Sequence, residues 1–239
     1  MNEHLRFLRL TCVLATSLIA MVATNSARAG SESSAQSAVA RIQPYLIANR
    51  EEEIALARSA APPAISMHAT VLVLDTHGYV TAVKGTNGFV CLDVRSWDHL
   101  VTMKSADFWN PKAHSPQCFN AAGAQSVLPR YLMRTGWVLA GASRAEIGDR
   151  MKTAWAAGKF EEPAPGAIDY MMSKRGSWIG AKPGPWRPHV MFFSSRAQAP
   201  HWGANLPGTP VFVAVNENLA VFMVLVPIWS DGSPAPSFN

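Results

Sequence analysis

Between Val71 and Val94 three short runs of β-favouring residues are separated by turn formers, and no other feature restricts the fold as much. Val71 to Leu74 is followed by Asp75-Thr76-His77-Gly78, Tyr79 to Val83 by Lys84-Gly85-Thr86-Asn87-Gly88, and Phe89 to Val94 closes the series. Runs of this length bounded by Gly, Asn and Asp mark hairpins, because those residues reach the backbone conformations of tight turns. The spacing predicts an N-terminal β-meander. Near the other end, Val211 to Val215, the turn Asn216-Glu217-Asn218, and Leu219 to Val226 predict a C-terminal hairpin. Both of its strands are apolar on successive residues, which predicts a central position with cover on each face. Ala167 to Ser173 and His189 to Ser194 read as two further strands.

Helices are read in three places. Ala38 to Ala60 carries a partial apolar stripe at Ile42, Leu46, Ile54 and Leu56, and Ala61-Pro62-Pro63 ends it. Ala124 to Ala140 is predicted helical, with Pro129 in its first turn or at a kink. Ser143-Arg144-Ala145-Glu146 is a capping box opening a helix to about Ala157, where Gly158 stops it. Arg95 to Phe119 reads as a long irregular loop rich in aromatic and His residues. The sum is an α+β domain: an antiparallel sheet of about six strands with helices packed on it, one domain over residues 38–239. The strand–helix alternation of a doubly wound sheet is absent. A hydrophobic fraction of 49% with only 15% charged residues excludes disorder as the main state.

Residues 1–29 form a secretory leader. Arg6 and Arg9 precede the apolar stretch Leu10 to Ala23, and Ala27-Arg28-Ala29 is a small-x-small cleavage site. The apolar stretch is too short to span a bilayer as a helix. Residues 30–37 read as a flexible Ser/Gly/Ala leader. The expected location is exported, periplasmic or secreted, with no transmembrane segment after cleavage. The net charge of +5 falls when the leader leaves, and no basic run remains, so nucleic acid is not an expected partner.

Cys91 and Cys118 are the only cysteines after the leader. An oxidising compartment favours closing them, for about 3 kcal/mol in the chain-entropy view. Buried free thiols or a reactive thiol remain alternatives. No H-x-H, H-x-x-H or H-E-x-x-H occurs, and His114-x-x-x-Cys118 is a poor metal spacing, so no metal is expected. There is no G-x-S-x-G or S-x-x-K nucleophile motif and no G-x-G-x-x-G or phosphate loop, so no cofactor is expected. His189 opens an apolar strand after Trp186-Arg187-Pro188, which puts it at a sheet end. Asp93, Asp98, Asp107 and Asp169 are the carboxylates available for acid–base work. Trp178, Trp186, Trp202 and Trp229 lie in or beside Gly/Pro loops, where an indole serves either as a ligand platform or as a plug on the sheet.

The segments NGFVCLDVRSW (87–97), FWNPK (108–112), CFN (118–120), SVLPRYL (126–132), PGAIDYMMSK (165–174), RPHVMFF (187–193), WGANLPGTPVF (202–212) and VPIWSDG (226–232) resemble an uncharacterised family of exported bacterial proteins. The resemblance covers most of residues 50–232. It implies export and a single domain, and it assigns no catalytic role.

Two functions are in view. In the first, the chain is a non-enzymatic binding or accessory protein of the cell envelope. Its small-molecule or glycan ligand meets Trp178, Trp186, Arg187, His189, Trp202 and Asn205. In the second, it is a periplasmic hydrolase: His189 is the general base, Asp169 orients it, and Arg187 or Lys174 steadies developing charge.

Overall fold

The computed structural model describes residues 41–98, 106–178, 184–214 and 218–236. The expected secretory leader, residues 1–29, and the expected flexible stretch 30–37 lie outside the described residues.

Near the start of the described residues is a 3-10 turn, Gln43–Tyr45, with Pro44 in its first positions. Helix α1 then covers only Arg50–Arg58. The predicted single helix over 38–60 is broken at Asn49, whose extended backbone lets its side chain accept from the N–H groups of Glu51 and Glu52 at 3.0 and 3.3 Å. A short helix α2 (Pro63–Ser66) leads into strands β1 (Thr70–Asp75), β2 (Gly78–Val83) and β3 (Val90–Val94). After them come β4 (Ser115–Phe119), helices α3 (Ala121–Ser126), α4 (Leu128–Leu139) and α5 (Arg144–Ala156), and strand β5 (Ile168–Met171). A two-stranded ribbon, β6 (Ser177–Trp178) and β7 (Gly184–Pro185), precedes β8 (His189–Ser195), β9 (Val211–Ala214) and β10 (Leu219–Leu225).

Eight of these strands make one sheet in the order β2-β1-β3-β4-β5-β8-β10-β9. The α+β class holds, but the sheet is mixed and larger than the six antiparallel strands expected. The exception to antiparallel pairing is β1 with β3, which run parallel at Thr70↔Val90 and Val71↔Cys91. The first three strands therefore form no meander. The chain leaves β2 and crosses the start of β1 to enter β3 on the far side. Gly85 makes the crossing feasible: a side chain there would overlap the backbone of His68, Ala69 and Thr70. Hydrogen bonds hold the crossing chain, with Thr86 N–H donating to His68 O at 2.8 Å and Thr70 N–H to Phe89 O at 2.8 Å.

Alternation sends successive side chains to opposite faces of the sheet. Cys91 and Cys118 face α1 and share a cluster with Ile54, Ala57, Val71 and Val73. Leu92 and Phe119 face α4 and join Leu128, Tyr131, Met191, Phe193 and Val221. Helix α1 packs across β1, β3 and β4 but does not extend over β8, β10 and β9. The predicted central, doubly covered C-terminal hairpin is thus corrected. β9 is an edge strand, and Phe192 and Phe222, opposite each other on β8 and β10, stay 40% and 37% exposed.

The segment read as a loop from Arg95 to Phe119 contains β4, which pairs antiparallel with β3 and sets Cys91 opposite Cys118. A disulfide joins them, as the cysteine arithmetic anticipated. The capping box is also present: the Ser143 side chain accepts from Glu146 N–H, and the Glu146 carboxylate accepts from Ser143 N–H at 2.7 Å. The helix predicted over 124–140 is instead two, α3 and α4, meeting at Val127. Among the described residues no helix is long and apolar enough to cross a membrane.

Candidate functional site

Three regions hold the polar and aromatic residues that could do chemistry or bind a ligand. The first is a buried charge network on the α1 face, where β3 ends and β4 begins. Asp93, on β3, is fully buried. Its Oδ1 accepts from Ser115 N–H at 2.8 Å, and its Oδ2 meets both Arg95 at 2.5 Å and His114 Nδ1 at 2.7 Å. Arg95, also fully buried, spends its other donors on Glu53 Oε1 at 2.6 Å and Tyr45 O at 3.0 Å. Glu53 reaches in from α1 and accepts from Leu74 N–H at 2.9 Å. Asp93 and Glu53 hold the guanidinium above the ordinary arginine range despite its burial. His114 is the exposed member, with a side chain 30% accessible and a main chain tied to Ser177 at 2.8 and 2.9 Å. A carboxylate on Nδ1 fixes the tautomer and orientation of an imidazole and directs Nε2 outward, the geometry of a positioned base. Sequence reading named Asp93 and His114 but did not join them, because the contact depends on β4 lying beside β3.

The second region is the α4 face, where the sequence-derived acid–base pair resides. His189 is 5% exposed, its Nδ1 donates to Arg187 O at 2.6 Å, and burial pushes its pKa down. Asp169 sits diagonally across the β5–β8 pair, since His189 faces Met171 and Asp169 faces Met191. Its carboxyl is fully buried and pushed well above the usual carboxylate range by desolvation. Met191 N–H approaches it, yet neither oxygen makes a well-formed hydrogen bond. The structure does not bring His189 and Asp169 into hydrogen-bond contact. Lys174 lies elsewhere, paired with Asp231 at 2.7 Å. Deeper under α4, Asp98 accepts from Thr135 Oγ1 at 2.9 Å and stands 3.4 Å from Arg134. Burial raises its pKa to about 7.

The third region is the exposed end of the sheet. Trp202, Thr209, Pro210, Val211 and Phe222 line a groove of about 430 Å³. It continues into a second groove of about 550 Å³ along Phe212 and Met223 to Leu225, sharing Thr209, Pro210 and Phe222. Among the described residues no charged side chain lines either part. Thr209 spends its hydroxyl within the loop, on Gly203 O at 2.9 Å. Of the six predicted ligand residues, Trp202 lines this groove. Asn205 shapes its loop, with φ +61° and its side chain accepting from Val213 N–H at 3.3 Å. Trp186 and Trp229 are buried in the core as plugs, Trp186 flat against Gly176, where a side chain would strike its ring. Arg187 is exposed beside Trp186, and the side chain of Trp178 lies outside the described residues. The predicted tryptophan cluster is therefore divided between core and surface.

Among the described residues no three His, Cys, Asp or Glu side chains are grouped to hold a metal ion. The one weak metal spacing is removed chemically, because Cys118 is in the disulfide. Comparison of the chain with known protein families, characterised proteins and solved structures finds no match.

Proposed function

We propose that this chain is an exported envelope protein that binds an apolar small molecule without transforming it, using the groove between Trp202 and Phe222. One observation carries the reading: an apolar channel, with no charged lining among the described residues, runs along β9 and β10 where α1 does not reach and the 3-10 helix Arg196–Trp202 packs. Exposed apolar surface of this kind, with an indole at its mouth, gains free energy by being covered. The lining favours a neutral, elongated ligand over a sugar, whose hydroxyls would lose hydrogen bonds there. Titration with 1-dodecanol, followed by tryptophan fluorescence, tests it. Trp202→Ala, with unchanged circular dichroism, is expected to weaken binding at least tenfold. Equal binding by wild type and variant would refute the proposal.

A second reading, a hydrolase, is favoured by the buried carboxylate on His114 Nδ1. Its general base is then His114 rather than His189. Nε2 takes a proton from water as the oxygen attacks an ester carbonyl, and returns it to the departing alcohol. Hydrolysis of p-nitrophenyl acetate that is lost in His114→Gln and kept in His68→Gln would support it. Equal rates in both variants would end it.

A further inference from the structure

A third groove, of about 410 Å³, shares no lining residue with the Trp202 groove and lies between α1, α2 and the segment at Ser230. Glu51, Ile54, Ala55 and Arg58 are spaced as one stripe of α1 along it, and Pro63 and Met67 supply the facing apolar wall. Arg58 makes no hydrogen bond or ion pair with any described residue, and its Nε is sealed from solvent. Two neighbouring hydroxyls are committed: Ser59 donates to Leu56 O at 2.5 Å, and Ser230 donates to Ser59 O at 2.6 Å. The guanidinium is the uncommitted cation among the described lining residues.

Two carboxylates also line the groove. Asp231 is neutralised by Lys174 at 2.7 Å and accepts from Ser233. Glu51 lies seven residues from Arg58, about 10 Å along the helix axis. The Arg58 end is thus positive and the space between is apolar.

We infer that this groove is a binding site for a small monocarboxylate with an apolar body, its carboxylate on Arg58 and its chain on Ile54, Ala55 and Met67. A single guanidinium matches a carboxylate in a two-point fork, whereas a phosphate calls for more donors and more positive charge than this groove offers.

Calorimetric titration of the full chain, disulfide intact, with octanoate and with 1-octanol tests the inference. Octanoate is expected to bind with one-to-one stoichiometry, at least tenfold more tightly than octanol. Arg58→Gln should remove that preference, and Trp202→Ala should leave it in place. Should Arg58→Gln fold poorly, Met67→Glu, at a residue 56% exposed, places a repelling charge in the groove and should weaken octanoate binding. Equal affinity for acid and alcohol, or octanoate binding unchanged by Arg58→Gln and Met67→Glu, would overturn it. Loss of octanoate binding in Trp202→Ala instead would assign the acid to the Trp202 groove and also overturn it.

Discussion

Removing the Cys91–Cys118 bond should cost more than any single surface contact in the molecule. The cysteines are 27 residues apart in sequence, and the loop they close includes all of the chain between β3 and β4. Loop closure on that scale removes entropy from the unfolded chain worth about 3.5 kcal/mol at 25 °C. Urea sensitivity for a chain of this size is about 2–3 kcal/mol per molar, so the midpoint should fall by about 1–2 M. The comparison is between oxidised protein and the same protein held reduced, each followed through urea by tryptophan fluorescence. It keeps every sulfur atom and isolates the cross-link. Cys91→Ala/Cys118→Ala should shift at least as far, since it also empties space in the cluster with Ile54, Val71 and Val73. Both cysteines are at 0% exposure, so reduction should track unfolding and be negligible in native buffer. A reduced midpoint within about 0.3 M of the oxidised one would refute the argument, as would fast reduction without loss of structure.

Asp98 makes stability depend on pH. Its folded pKa, about 7, lies above the ordinary 3.8, so the folded state binds the proton more tightly. Its contribution is full below about pH 4 and is lost as pH rises through about 7, on the order of 4 kcal/mol at most. Urea midpoints between pH 4 and 8 should fall with pH, and Asp98→Asn should flatten that slope; an unchanged slope contradicts the assignment. Arg95→Met leaves Asp93 and Glu53 buried without their shared cation and should cost about 3–5 kcal/mol in the same unfolding assay. A loss below about 1 kcal/mol would refute that reasoning.

Local chemistry was legible wherever neighbours in sequence are neighbours in space. The Ser143–Glu146 box, the β1–β2 turn at Thr76 and His77 and the strand at His189 to Ser195 involve short-range contacts, and each was readable. β4 was not, because Ser115-Pro116-Gln117-Cys118-Phe119 carries a proline and a polar alternation that reads as a loop. It becomes a strand because β3 and β5 flank it and bury all five residues. The candidate sites divide the same way. Trp202 could be singled out from its Gly/Pro surroundings. The apolar face beside it could not, because a continuous apolar run looks the same whether both faces are covered or one is left bare.

By itself, the sequence determined the α+β class, the β1–β2 turn, the Ser143–Glu146 cap and the pair of cysteines able to join, because each rests on propensity or on chemistry within a few residues. Tertiary structure alone decided that β3 runs parallel to β1, that β9 ends the sheet, and that His114 rather than His189 receives a buried carboxylate. Those outcomes depend on which strand lies beside which. Strand order is set by the summed packing of distant segments, such as Gly85 passing under Thr70 and α1 stopping short of β8. No local run of residues carries that sum.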